Sequence, residues 1–475
     1  MLPSSLFKSF RPLCLVVLAG AFFPDVSGAT YTVNSLAELQ VRLRSAVAGD
    51  VISVTNGAYV TDAAINLDCR GDAGAPITLK AERVGGVEIG GTHGFIVKGS
   101  AAHVTIAGFV FTHAAGRSAI EVGARHVRFT RNTFQCSGPG AYLTIGGDDV
   151  QVDRNDFRDK KTLGNMIDVR GANAQVGRRV WIHHNYFHDF APAGGNGAET
   201  IRFGLSGLSM SMGHGLVEHN LFVRCLGENE LISNKSGGNT YRYNTFLDSP
   251  GTQLTLRHGN ECAVYGNYFR NTDGLRVFGD RHQIYGNYFE GNSLGINLGN
   301  GGAEVAEGAP LTSHDRPDDN LIAYNILIDN AVHYGMNART PKALGATNTV
   351  FAYNIIQGGG VAARIAGPNA GAVWSGNLLW NTAGAGDLPD SGYIMADPRL
   401  VRDHDGVYRR TVNSPAIDAS VPVYSARDYY KDSRGRVDLS TSAKDADQGL
   451  VKPVPVRRLS EHEVGPQSGR AGETL

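Results

Sequence analysis

Three polar segments in the middle of the chain carry the residues best suited to chemistry. Residues 196–204 read NGAETIRFG, residues 227–236 read GENELISNKS, and residues 251–260 read GTQLTLRHGN. Glu228 and Glu230 are two positions apart, which places both side chains on one face of a strand. Together with the amide oxygen of Asn196 they make an oxygen-rich set of the kind that Ca²⁺ prefers.

A lysine and an arginine complete this candidate site. Lys235 comes five positions after Glu230, which in a regular strand is the opposite face, so we predict a turn at Ser233 and Asn234. Beside a cation and Arg257, the charged form of Lys235 is disfavoured, and the amine can act as a base. A metal ion on a substrate carboxylate would stabilise the enolate-like intermediate. In a uronic acid polymer this chemistry removes the C5 proton and expels the C4 oxygen by β-elimination.

A short repeat predicts the elements that position these residues. Asn followed after one residue by a large apolar side chain recurs along the chain, and the spacings between successive asparagines are 23, 30, 35, 24, 23, 20, 38, 29 and 23 residues. A minimum near 20 to 24 residues with scattered insertions is typical of a solenoid. The asparagines of this repeat are Asn132, Asn155, Asn185, Asn220, Asn244, Asn267, Asn287, Asn325, Asn354 and Asn377.

The units read as short alternating strands between Gly, Asn and Asp, and not as helices or leucine-rich repeats. We therefore predict an all-β fold, a right-handed single-stranded parallel β-helix with three strands per coil. The capping box at Ser35 and Glu38 predicts a helix to about Val47 that covers the open end of the first coil. Residues 50–54 would then begin the first strand.

The stacking of coils decides between two interpretations of the polar segments. Each residue alone is best explained as a solvated charge, with Lys235 or Arg257 simply paired to a glutamate. Matching positions of adjacent coils, however, lie about 4.8 Å apart. An acid pair, a lysine and an arginine stacked in this way favour a functional site.

Composition and the termini limit the class of protein. The chain has 475 residues and a formal net charge of -1, which argues against a nucleic-acid partner.

Residues 1–28 have the basic start, short apolar run and small residues of a secretory signal peptide. This predicts export to the periplasm or beyond the cell and no membrane insertion after its removal. We assign residues 29–450 to the β-helix, with terminal coils and cap from about 380, and residues 451–475 to a poorly ordered tail. The remaining cysteines, Cys69, Cys136, Cys225 and Cys262, show no zinc-site spacing.

The three polar segments, the GDRH sequence at residues 279–282 and the repeated NYF coils resemble polysaccharide lyase family 6, which holds chondroitinase B and many alginate lyases. The resemblance covers roughly residues 30–450. It implies a parallel β-helix with Ca²⁺ on Asn196, Glu228 and Glu230. It also implies that Lys235 is the base and that Arg257 is the acid or stabilises the leaving group.

The same resemblance implies a substrate-binding role for Arg281, Arg202 and His258, with Glu199 supporting or lining the cleft. His258 could equally be a structural histidine. An arginine is a poor general acid, so water or another side chain could deliver the proton while Arg257 stabilises charge.

The substrate expected from this resemblance is an anionic polysaccharide. The amino-acid sequences of segments 196–204 and 227–236 are closer to those of the alginate lyases. The near-neutral net charge of the chain gives no sign of a site for sulfated sugars. Dermatan sulfate remains the alternative substrate. A C5-epimerase would begin with the same proton abstraction, and a non-catalytic secreted β-helix that binds glycans would give no special role to Lys235 or Arg257.

Overall fold

The structure is a computed structural model that describes residues 28–114, 117–192, 194–340, 343–417 and 456–469. Three long parallel sheets wrap around one core, and each strand pairs with the strands one coil before and one coil after it. This confirms the parallel β-helix. The predicted signal peptide lies outside the described residues except for its last position, Gly28.

The chain visits the first, third and second sheets in turn within each coil. The first sheet has 14 strands: β1 Thr30–Val33, β2 Val51–Val54, β5 Ile77–Ala81, β8 Ala102–Ala107, β11 Arg125–Thr130, β14 Gln151–Asp153, β19 Trp181–His183, β22 Leu216–Glu218, β25 Thr240–Arg242, β28 Ala263–Tyr265, β31 Gln283–Tyr285, β34 Leu321–Ala323, β38 Val350–Ala352 and β42 Val373–Ser375.

The second sheet, which carries the candidate site, has 13 strands: β4 Ile65–Leu67, β7 Phe95–Val97, β10 Ser118–Ile120, β13 Leu143–Ile145, β16 Ile167–Val169, β21 Ile201–Phe203, β24 Glu230–Lys235, β27 Gln253–His258, β30 Leu275–Val277, β33 Ile296–Leu298, β36 Val332–Met336, β40 Val361–Ile365 and β44 Gly384–Gly386.

The third sheet again has 14 strands: β3 Gly57–Thr61, β6 Val87–Gly91, β9 Phe109–Phe111, β12 Thr133–Phe134, β15 Asp156–Arg158, β20 Tyr186–Phe190, β23 Leu221–Cys225, β26 Thr245–Leu247, β29 Tyr268–Arg270, β32 Tyr288–Glu290, β35 Ile326–Ile328, β39 Ile355–Gln357, β43 Asn377–Trp380 and β45 Tyr393–Met395.

Three small sheets and three short 3₁₀ turns complete the described elements. The small sheets are β17 Gly171–Ala172 with β18 Gln175–Val176, β37 Ala346–Thr347 with β41 Asn369–Ala370, and β46 Leu400–Arg402 with β47 Tyr408–Arg410. The 3₁₀ turns are Ser206–Leu208, Asp390–Gly392 and Glu461–Glu463.

The repeated asparagines form a buried ladder at the turn between the first and third sheets. The Oδ1 atom of Asn155 accepts the backbone N–H of Asn132 at 2.9 Å and its side-chain amide at 3.0 Å, and the pattern continues from coil to coil. The following apolar residue points inward. The stacked rings from Phe111 to Phe289 lie 4.6 to 4.9 Å apart between centroids, so one repeat motif supplies both the turn and the core.

The N-terminal cap forms as predicted, with one addition. Helix α1 spans Leu36–Ser45, the hydroxyl of Ser35 accepts the N–H of Glu38 at 3.2 Å, and Leu39 and Leu43 are buried. The first strand is not at residues 50–54, however. Thr30–Val33 precedes the helix and pairs in parallel with β2, because Tyr31 and Val33 can join the end of the core.

Residues 456–469 pack on the outer face of the third sheet. Val456, Leu459 and Val464 are buried against Leu221 and Leu247. Residues 456–469 therefore differ from the poorly ordered tail expected at 451–475, because their apolar side chains pack on the β-helix. Within the part of the chain that the structure describes, none of the helices has the length and apolar character needed to cross a bilayer.

Candidate active site

The candidate site lies on the outer face of the second sheet, where β21, β24, β27 and β30 are neighbours. Arg202, Ser233, Thr255 and Arg276 occupy matching positions on these four strands. Side chains that are 74 residues apart in sequence are thereby brought within three coils. The β-helix supplies the rigid support, and the outward positions supply the polar groups.

A bulge in β24, and not a turn, puts Glu230 and Lys235 on one face of the strand, and a second bulge lies in the neighbouring β27. The register between β24 and β27 shifts between Glu230 and Ile232 and again between Asn234 and Lys235. The predicted turn at Ser233 and Asn234 is therefore wrong, since both residues lie within a continuous strand. The first bulge adds Leu231 to β24 and the second adds Arg257 to β27, so the alternation of faces changes once in each strand. Lys235 consequently pairs in register with His258.

Three carboxylates meet at the centre of the site. Glu199, Glu228 and Glu230 each offer an oxygen, and these oxygens lie within 4.8 Å of one another. Glu228 accepts the N–H groups of Gly197 at 2.6 Å and Ala198 at 3.2 Å, and the positive φ of Gly197 suits glycine. Burial and the neighbouring charge of Glu199 raise the pKa of Glu228 despite these bonds.

Glu230 is buried and surrounded by donors. It accepts a hydrogen bond from Arg257 Nη1 at 2.8 Å, one from Ser233 Oγ, and one from Arg276 Nη2. Burial alone would raise the pKa of Glu230, but the charges of Arg276 and Arg257 outweigh it, so the pKa lies below its ordinary value. Glu230 stays ionised and holds both guanidinium groups in place.

Lys235 points at the same cluster. Its ammonium donates to Glu199 Oε1 at 3.1 Å, and only 11% of its side chain is exposed. The other oxygen of Glu199 accepts from Asn165 Nδ2 at 2.8 Å. Glu199 thus holds Lys235 in place, and the expectation that Glu199 supports or lines the cleft stays a prediction.

The charges of this cluster balance. Glu199, Glu228 and Glu230 face Lys235, Arg257 and Arg276, so three negative groups meet three positive ones. The carboxylate oxygens are hard ligands that fit a calcium ion, and each carboxylate can accept more bonds than it makes here. The side chain of Asn196 is exposed at the rim, one residue before the N–H groups that bind Glu228.

The three predicted substrate-binding residues lie in different surroundings. Arg202 makes a two-bond ion pair with Asp168, at 3.0 and 2.9 Å, one coil from Ser233. His258 is buried beside Lys235, and burial with the nearby charge of Arg257 lowers its pKa to about 3. A neutral imidazole favours a positioning role for His258 over proton transfer.

Arg281 lies apart from the cluster in the turn before β31. It pairs with Glu261 at 3.0 Å, and 40% of its side chain is exposed. Within the described residues no hydrogen bond or ion pair joins Arg281 to the carboxylate cluster, so the structure leaves its role as a prediction.

Two residues of the site were missed from the sequence. Arg276 lies one coil after Thr255, and counting one coil along from there would have found it. His314 comes from a long insertion without a repeat, and no spacing signal could place it. Its ring lies 6.1 Å from that of His258.

Comparison with known proteins identifies the family. The family model described as chondroitinase B matches residues 33–354. The chain belongs to the chondroitinase B family, polysaccharide lyase family 6. The match includes β24, β27 and β30, and therefore the whole carboxylate cluster. Comparison with the curated proteins gives no significant match.

Solved structures of this family share the fold. The PL6 family alginate lyase AlyGC is 26% identical with a TM-score of 0.72, over 81% of this chain and 56% of its own. A mannuronic acid specific family 6 lyase from human gut microbiota is 25% identical with a TM-score of 0.63, over 74% of this chain and 86% of its own. The family 6 lyase Pedsa3628 from Pseudopedobacter saltans, 19% identical over 92% of this chain and 99% of its own, has a TM-score of 0.63 and supports the fold alone. The chain thus spans little more than half the length of AlyGC.

Proposed function

We propose that this protein is an exported alginate lyase that cleaves its polymer by calcium-assisted β-elimination. Lys235 removes the C5 proton of a uronate residue, and the electrons of that C–H bond form the C4=C5 double bond as the bond between C4 and the glycosidic oxygen breaks. The leaving oxygen takes up a proton from water or from another side chain. The products carry a 4,5-unsaturated uronate at the new end. Arg257 stabilises charge on the substrate or on the leaving group.

The observation that carries this proposal is the placement of Lys235. Its ammonium lies in the carboxylate cluster at 3.1 Å from Glu199, on the same outer face as Arg257 and Arg276. Removal of a proton next to a carboxylate needs a base, and it needs cationic groups that stabilise the charge developing on that carboxylate. Lys235, Arg257 and Arg276 offer both. Because a base needs a free lone pair, substrate must displace or share the Lys235–Glu199 contact before Lys235 accepts a proton.

Calcium is part of the proposal because of its ligands. Asn196, Glu228 and Glu230 would hold the ion, with Glu199 as a further oxygen donor next to them. When bound, calcium would neutralise the substrate carboxylate and favour loss of the neighbouring proton. The raised pKa of Glu228 fits a carboxylate whose charge a cation would stabilise.

Alginate is favoured by the similar structures. Two of the similar structures at 25% identity or more are described as an alginate lyase, AlyGC, and as a mannuronic acid specific lyase. The signal-like residues 1–28 and the size of the polymer support export, and we propose residues 29–450 as the lyase domain. Dermatan sulfate is the second candidate, because the matching family model carries the name of chondroitinase B.

Ultraviolet absorbance of the unsaturated product tests the proposal. The enzyme is offered polymannuronate, polyguluronate, dermatan sulfate and pectate, each with and without a calcium chelator. We expect absorbance to rise on an alginate block, to stop with chelator and to return with calcium. A rise only on dermatan sulfate would transfer the assignment to that substrate. No rise on any polymer would refute the lyase proposal.

A further inference from the structure

An insertion stands beside the candidate site. Residues 299–320 connect β33 to β34, whereas the preceding coil makes the same connection with residues 278–282. The two arms of the insertion bond to each other, from Gly302 N–H to the His314 carbonyl at 3.0 Å and from Arg316 N–H to the Ala303 carbonyl at 2.9 Å. The insertion is therefore a folded element with a defined position on the second sheet.

The insertion places His314 on the outer face of that sheet. The ring of His314 lies 4.7 Å from that of Phe278, whose exposed fraction is only 6%. The guanidinium of Arg276 lies over the same Phe278 ring, at 5.6 Å from its centre. The insertion thus covers the surface next to Arg276, one coil beyond Arg257.

Cationic groups converge on this place. Burial and the charges of Arg257, Arg276 and Arg339 lower the pKa of His314 to about 4. A Cβ placed on Gly302 would lie 2.7 Å from Arg339 Nη2, so this guanidinium lies directly against the insertion. Arg339 donates to the Asn300 carbonyl at 3.4 Å and, within the described residues, has no carboxylate partner.

Buried polar atoms without partners lie at Arg276 and at two residues beside it. The Nε atoms of Arg257 and Arg276 and the Nε2 atom of His258 are buried and lack hydrogen-bond partners within the described chain. Most buried polar atoms of native proteins are hydrogen-bonded, so several exceptions together indicate that something else completes the bonding. An anion with several oxygens matches a group of guanidinium donors in charge and in geometry.

We propose that the insertion completes an anion pocket of Arg276, His314 and Arg339, which binds the carboxylate of the uronate next to the one that loses its proton. This inference rests on the proposed function. It identifies the substrate as a polymer with a carboxylate on consecutive sugars. It also assigns a binding role to Arg339, which takes no part in the elimination.

Binding to a chain that cannot turn over tests the pocket. Lys235→Ala provides the background, and titration calorimetry measures the affinity for saturated mannuronate and guluronate tetramers and for their carboxyl-reduced forms. Arg339→Gln on this background should weaken binding of the charged tetramer about tenfold, which is about 1.4 kcal/mol. Binding of the carboxyl-reduced tetramer should not change between the two chains.

Arg364→Gln is the matched control, because Arg364 is an exposed arginine on β40 of the same sheet, beyond the insertion. It should bind as the background does, and Arg339→Lys should recover part of the affinity. The inference is overturned if Arg339→Gln binds like Arg364→Gln, if the neutral tetramer loses as much affinity as the charged one, or if no tetramer binds. If the arginine effect is present but the wild-type enzyme forms no unsaturated product, the proposed function fails while the pocket stands.

Discussion

Glu230 lies between two guanidinium groups and is the residue on which the cluster depends. Arg257 and Arg276 both donate to its Oε1 atom, and the carboxylate is buried. Glu228 is two positions away, and among the described residues it bonds only with the backbone N–H groups of Gly197 and Ala198. The two glutamates therefore differ in what their charge contributes.

Replacement of each glutamate by glutamine should separate these contributions. Glu230→Gln leaves two guanidinium groups without a buried counter-charge, which should lower the free energy of unfolding by about 3 kcal/mol. Glu228→Gln removes a charge that burial and Glu199 disfavour, so its stability should be unchanged or higher. Denaturant unfolding of both metal-free variants measures the difference, and equal losses would contradict the assigned contacts.

Asp280 gives the stability a pH dependence. Burial and the charges of Asp315 and Asp318 raise its pKa to about 7. Because the folded state binds the Asp280 proton more tightly than the unfolded state, protonation of Asp280 stabilises the fold at low pH. This stabilisation is lost as pH rises through about 7. Asp280→Asn should therefore be more stable than the wild type at about pH 8, by more than about 1 kcal/mol, with little difference at about pH 4. Parallel pH curves for the two proteins would show that Asp280 does not cause the dependence.

The site residues show what spacing can and cannot predict. Glu228, Glu230, Lys235 and Arg257 were found together because a coil repeat places matching positions side by side. The predicted turn at Ser233 and Asn234 was wrong, since a bulge in β24 puts Lys235 on the face of Glu230. Bulges have no spacing signal in this sequence, because each one shifts the register by a single residue.

The asparagine ladder is the element that sets the register of the coils. The side chain of Asn220 accepts from Asn185 and donates to the carbonyl of Ile182 at 2.9 Å. A second, shorter ladder joins Asn292 and Asn330, which follow the third-sheet strands β32 and β35. Its spacing of 38 residues repeats that between Asn287 and Asn325, so the sequence contained a signal for it that the repeat analysis missed.

Removal of one ladder side chain should weaken the whole stack. Asn220→Ala leaves the N–H of Asn185 and the carbonyl of Ile182 without partners, and each lost buried bond costs about 1–3 kcal/mol. We expect a clear fall in the denaturant midpoint. Asn56→Ala is the control, since Asn56 is exposed and outside the ladder. A midpoint equal to that of the control would contradict the structural role of the ladder.

At the scale of the whole molecule, residues 456–469 contact several different coils. Thr245 Oγ1 accepts the N–H of Leu459 at 2.9 Å, Tyr186 bonds Glu461 at 2.7 Å, and Arg131 bonds the carbonyl of Ser468 at 2.7 Å. These contacts cross the outer face of the third sheet. The candidate site lies on the second sheet, so stability and activity are separable.

Leu459→Asp should separate them in practice. It introduces a charge among buried apolar side chains and should lower the melting temperature, because the cost of burying an unpaired charge is high. The kcat/KM on the active substrate should stay within about twofold of the wild type, since no contact of the site changes. A large loss of kcat/KM in the folded variant would show that this segment also supports the site.

In the proposed function, the stacked coils present Lys235 as the base to an anionic polymer, and Lys235→Gln tests this proposal most directly. Turnover is followed by the absorbance of the unsaturated product, while calorimetry follows binding of a saturated tetramer. We predict that turnover falls about 100- to 10,000-fold, the contribution typical of a general base, while the tetramer still binds and the melting temperature is close to that of the wild type. Turnover near the wild-type rate in the folded variant would contradict the account, because another group would then remove the proton.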